Sequence, residues 1–159
     1  MDKLLVEARS GPTFLKQTAI AELVRASILY GADVGHYEIH SWVIMANHVH
    51  LLITPRVGLS QLLCSLKTAT ATRANLLLHR TGQPFWQDEC YDHLVRSGDE
   101  FRRIQRYIEN NPVKACLASS PEDYVWSSAW RPERVPQAVS LPHWDTETPP
   151  QAVSLPHNS

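Results

Sequence analysis

The sequence predicts a mixed α+β domain, on three observations: segments with apolar residues at helical spacing, two β-branched and aromatic runs joined by a short connection, and a further strand-like run ahead of the last helix. MDKLLVEARS reads as a short leader and Gly11-Pro12 as a turn. Phe14 to Tyr30 carries Ile20, Leu23, Val24 and Ile28 on one side, and Gly31 closes that helix. The runs HYEIHSWVIM and HVHLLIT, separated by little more than Ala46-Asn47, predict a hairpin ended by Pro55. Ser60 is the expected N-cap of a long helix with Leu59, Leu62, Leu63, Leu66 and Ala69 on one side, running towards Arg80 before Thr81-Gly82-Gln83-Pro84 breaks it. Cys90 to Arg96 reads as a short strand. Ser97 starts a third helix, with Glu100 completing a capping box. Phe101, Ile104 and Ile108 form its buried stripe, and Pro112 stops it.

The chain has 159 residues, 43% of them apolar, which suits one domain with a real core and excludes an eight-fold barrel or a two-domain cofactor enzyme. No apolar run approaches the ~20 residues of a membrane span, and the N-terminus lacks a secretory pattern, so a cytoplasmic location with no membrane partner is expected. Cys64, Cys90 and Cys116 lie far apart and read as ordinary thiols of a reducing compartment. Fifteen basic residues nearly balance sixteen acids, but the layout is uneven. Residues 61–119 carry eight basic groups against six acids, and residues 120–159 carry two against five. From Pro132 the composition turns to Pro, Ser, Thr and acids, with PQAVSLPH repeated at Pro136 and Pro150. We therefore divide the chain into a domain at 1–131 and a duplicated tail at 132–159 that is too poor in apolar residues to build a core. The tail holds His143 and His157, for which no metal role is expected.

Chemistry concentrates in two places. In Asn47-His48-Val49-His50, strand alternation puts both imidazoles on one face with Val49 on the other, and two neutral imidazoles on a rigid face can hold a divalent cation. The same pattern also suits two surface histidines on a half-exposed strand. On the third helix, Tyr107 and Asn111 lie four residues apart on one side. An amide oxygen suits Mg²⁺ or Mn²⁺, and a phenol used as a nucleophile needs nearby cations, which Arg102, Arg103 and Arg106 supply. Pro112 disfavours helical geometry at Asn111, so this spacing is open to distortion.

The run Ser41 to Leu52 (SWVIMANHVHLL), with Tyr107 to Ala115 (YIENNPVKA), resembles the single-tyrosine HUH transposases, in which two histidines flank a hydrophobic residue, and particularly their REP-associated tyrosine transposase branch. Gly11-Pro12 with Leu15, Pro84 to Gln87, Tyr91 to Arg96 and Trp126-Ser127-Ser128 extend the likeness over Gly11 to Trp130. The resemblance implies a ferredoxin-like α+β domain, an antiparallel sheet with helices on one face. It implies His48, His50 and Asn111 as ligands of a divalent metal (Mg²⁺ or Mn²⁺) and Tyr107 as nucleophile. It further implies cleavage of single-stranded DNA near hairpin (palindromic) elements through a 5′-phosphotyrosine, by a monomer or homodimer. Lys67, Arg73, Arg102, Arg103 and Arg106 are candidate phosphate contacts, and Trp86 or Phe85 a candidate platform for an unpaired base; the aromatic pair equally suits a core anchor.

One departure stands out. Members of the family carry a strand ahead of the Gly-Pro turn, whereas MDKLLVEARS reads as the stretch just before that turn. The first strand is therefore expected to be missing or replaced by Leu4-Leu5-Val6, leaving an exposed edge. A silent, truncated hairpin-binding module is the alternative this suggests. A hydrolase using the histidine pair, with Tyr107 only structural, is a third.

Overall fold

The computed structural model describes residues 2–10 and 13–134, so the Gly11-Pro12 turn and the tail with His143 and His157 lie outside the described residues. The strands are β1 (Lys3–Ser10), β2 (Tyr37–Ile44), β3 (His48–Pro55) and β4 (Trp86–Val95). The helices are α1 (Thr18–Asp33), α2 (Leu59–Leu77) and α3 (Gly98–Lys114). The strands form one antiparallel sheet in the order β2-β3-β1-β4. The chain order β1-α1-β2-β3-α2-β4 with this strand order is the ferredoxin-like arrangement, with α3 added after it.

A first strand is present and contains Leu4-Leu5-Val6, so of the two alternatives read from the sequence the missing strand is the one overturned. Lys3–Ser10 pairs with β3 on one side and β4 on the other. It was obscured because Glu7 and Arg9 interrupt an apolar run, yet they alternate with Val6 and Ala8 and so occupy a single face. Val6 and Ala8 of β1, with Val49 and Leu51 of β3, meet Val24 and Ile28 of α1 and Leu63 and Leu66 of α2. Burying side chains such as Val6, Val24 and Leu51 contributes about 1.5–3 kcal/mol each and holds α1 and α2 on this face. The α+β class and the antiparallel sheet are as expected, but the helices do not all lie on one face. α3 packs against β2 and β3 from the opposite side, through His40 and His50.

Several boundaries differ from the local signals. Gly31 lies inside α1, where a Cβ would meet the Tyr37 hydroxyl at 2.6 Å; the left-handed residue closing the helix is Gly35, at φ 80°. The N-cap of α2 is Gly58, whose carbonyl accepts from Leu62, rather than Ser60. Strand β4 starts four residues before Cys90 because Trp86 pairs with Ser10. Pro112 does not stop α3. It lacks one N–H, but the helix continues to Lys114, and Cys116 at φ 59° ends it with bonds to Val113 and from Leu117 to Pro112. The capping box is half formed: Glu100 N donates to Ser97 Oγ at 3.1 Å, while the Glu100 carboxylate accepts from Arg96 N at 2.7 Å. Beyond α3, Ile44 N donates to the Trp126 carbonyl and Ser128 N to the Trp42 carbonyl, covering part of the β2 edge. Among the described residues no helix is long and apolar enough to cross a membrane.

Candidate active site

The face of the sheet under α3 carries the polar residues that alternate with the core. In register, Arg9 stands opposite His48, and Glu7 opposite His50. The rings of His48 and His50 lie 4.9 Å apart at 78°. Helix α3 runs along this face from Phe101, edge-on to His40 at 5.3 Å, to Tyr107, edge-on to His50 at 5.5 Å. Tyr107 keeps 43% of its surface, so the phenol is open to a large substrate. Because α3 passes through Pro112, Asn111 remains one turn beyond Tyr107, half-buried, and Lys114 reaches back to place Nζ 5.2 Å from the centre of the Tyr107 ring.

The electrostatics keep both imidazoles neutral. Burial drives His50 down to about 4, helped by His48 and opposed by Glu7. Burial also lowers His48, with Glu7 opposing and Arg9 adding to the shift. A neutral imidazole has a lone pair to give. Nδ1 of His48 is 2.7 Å from Asn47 Oδ1. An amide oxygen only accepts, so that nitrogen carries the proton and Nε2 is the Lewis base. His50 Nδ1 is buried, makes no hydrogen bond and faces Glu7 Oε2 at 3.7 Å. Two neutral rings 4.9 Å apart on one strand, each with one ring nitrogen beside an acceptor of the protein and the other left to offer a lone pair, fit a divalent cation. Among the described residues no group of three His, Cys, Asp or Glu is placed to hold a metal. A further donor from protein would have to be a neutral oxygen, as Asn111 offers.

The basic residues sort into two sets. Arg102, Arg103 and Arg106 lie on exposed turns of α3, with Arg102 paired to Asp99 and Arg103 4.0 Å from Glu100. Lys67, Arg73 and Trp86 belong to the α1/α2 side. Lys67 Nζ donates to the Gln87 carbonyl at 2.8 Å, and Trp86 Nε1 donates to Thr70 Oγ1 at 2.8 Å. Phe14 stacks on Phe85, which meets Trp86 edge-on, so Trp86 completes an aromatic cluster tying α2 to β4. Arg73 is exposed on α2. Sequence reasoning missed Glu7, Arg9 and Lys114. The alternation of Glu7 and Arg9 with Val6 and Ala8 was the available signal for the first two.

Comparison with known proteins finds relatives of the chain in sequence and in fold. A REP-associated tyrosine transposase of Escherichia coli (strain K12) is 23% identical over 111 residues, which cover 69% of this chain and 65% of that relative. The match thus spans just under two thirds of the relative's length. A solved structure of a REP-associated tyrosine transposase bound to a REP hairpin superposes with a TM-score of 0.67 at 20% identity, covering 80% of this chain and 76% of that one. It establishes a common fold. Residues 11–111 match the model of the family described as "Transposase IS200 like". That match runs from Gly11 to the asparagine beyond the exposed phenol, taking in the histidine pair on the way, and the chain belongs to the IS200-like transposase family.

Proposed function

We propose that this protein cleaves and rejoins single-stranded DNA beside hairpin elements in a metal-dependent reaction, with Tyr107 as nucleophile. The observation that carries the reading is the meeting of two elements: the phenol of α3 lies edge-on to His50, the more buried of two neutral imidazoles on β3. The relative of known structure is bound to a REP hairpin, which supports a DNA hairpin as the partner here.

His48, His50 and Asn111 would hold Mg²⁺ or Mn²⁺, which when bound polarises the scissile phosphate and offsets charge developing on it. Tyr107 Oη attacks phosphorus and loses its proton to water. The bond to the 3′ oxygen breaks, that oxygen takes up a proton, and the 5′ phosphate stays on the tyrosine. The 3′-hydroxyl can reverse the same steps and join strands. Lys114 and Arg106, on the exposed side of α3, supply positive charge for the phosphates flanking the break. The alternative of a silent binding module drew on a missing first strand, and β1 removes that support.

The test is incubation of the protein with oligonucleotides containing an imperfect palindrome and Mg²⁺ or Mn²⁺, followed by a denaturing gel. A protein–DNA band is expected that disappears with chelator and in Tyr107→Phe. A band that persists in Tyr107→Phe overturns the assignment of the nucleophile. Metal-dependent cleavage that survives that substitution without any band points instead to a hydrolase.

A further inference from the structure

Glu7 has no part in the reaction as proposed, yet its carboxylate lies at the centre of the site face. Register sets it opposite His50 on β3 and opposite Tyr91 on β4. One oxygen, Oε1, is 2.6 Å from Arg9 Nη2; the other, Oε2, is 3.7 Å from His50 Nδ1. The His50 side chain is 3% exposed and that nitrogen makes no hydrogen bond, so the carboxylate it faces at 3.7 Å biases which ring nitrogen carries the proton. A carboxylate facing a bare ring nitrogen sets lone pairs against each other; facing an N–H, it is attractive. The geometry points to Glu7 as a positioning residue, steered by Arg9, that keeps the His50 proton on Nδ1 and leaves Nε2 as the free lone pair.

Asn47 does the same for His48 at 2.7 Å, from the adjacent residue instead of across the sheet. Two rings on one strand thus present the same nitrogen because an acceptor faces the other in each case, hydrogen-bonded for His48 and across 3.7 Å for His50. Arg9 has a second effect. By occupying Oε1 it ties the carboxylate to β1, so that Glu7 orients the ring instead of swinging in beside it as a ligand. The value of this arrangement for a cation rests on the proposed reading of His50 as a metal ligand; the tautomer itself does not.

The test uses metal-free, ¹⁵N-labelled full-length protein, in which long-range ¹H–¹⁵N correlations distinguish the two tautomers of His50, together with calorimetric titration with MnCl₂. Glu7→Ala is expected to move the His50 proton towards Nε2 and to weaken Mn²⁺ binding by about 10–100-fold. Glu7→Gln, which retains an acceptor oxygen, should recover part of both. Should Glu7→Ala fail to fold, Glu7→Met keeps the length of the side chain without the acceptor and carries the same expectation. A folded Ala or Met variant with the wild-type tautomer and Mn²⁺ affinity overturns the assignment. Wild-type protein that does not bind Mn²⁺ overturns the metal reading alone, because the tautomer measurement still decides the role of Glu7.

Discussion

The two faces of β1 and β3 are built from neighbouring residues and serve opposite ends. Val6 and Ala8 of β1 and Val49 and Leu51 of β3 point to α1 and α2 and line an apolar interior with Val24, Ile28, Leu63 and Leu66. Glu7, Arg9, His48 and His50, each one residue removed, face α3 and form the Glu7–Arg9 ion pair and a polar, partly open cluster. The α3 face is not uniformly polar. Leu52 is fully buried on it and Ile104 and Ile108 of α3 close over the sheet, so helix and site share one surface, dry at one end and polar at the other. A sheet with a rigid, fully packed side can carry neutral, desolvated imidazoles on its other side without moving them, because the strand that holds His50 is fixed by Val49 and Leu51.

This contrast can be broken most severely on the packed side. Leu51→Ala removes a side chain that is 3% exposed and should cost about 2–5 kcal/mol, measured as a lower urea midpoint with unchanged slope. On the site side the effects should separate. His48→Ala is expected to abolish the covalent DNA band while changing unfolding free energy by no more than about 0.5 kcal/mol, because the ring is half-exposed and bonds only to its neighbour. A loss of stability comparable to that of Leu51→Ala would mean that the two faces are not independent.

The smallest expected effect concerns the start of α3. The Glu100 carboxylate is held below its ordinary range, first by the Arg96 backbone amide and then by the His93 ring. A depressed carboxylate adds stability above its unfolded value of about 4.3 and loses that contribution as pH falls through the lower folded value. The stability gap between wild type and Glu100→Gln should therefore be largest near neutrality and close under acid conditions. Urea midpoints across that range would show it; a gap that does not depend on pH would assign the contribution to packing.

Much of this protein is legible in local pattern. The hairpin, the two imidazoles on one face, the Ser97 cap and the α3 stripe follow from alternation, helical period and capping chemistry, each decided within a few residues. Local signals failed where a longer contact outweighed them. Gly31 is used for the approach of Tyr37 instead of as a stop, and Pro112 sits close enough to the helix end that losing one N–H does not break it.

Sequence alone therefore determined which side chains can do chemistry and that His48 and His50 share a face, because residue type and period 2 are properties of the segment itself. Tertiary structure decided that Lys3–Ser10 is a central strand, that Glu7 and Arg9 lie opposite the imidazoles, and that α3 crosses the second face to bring Tyr107 to His50. Those depend on strand register and helix docking, set by the sum of many weak apolar contacts between segments far apart in the chain.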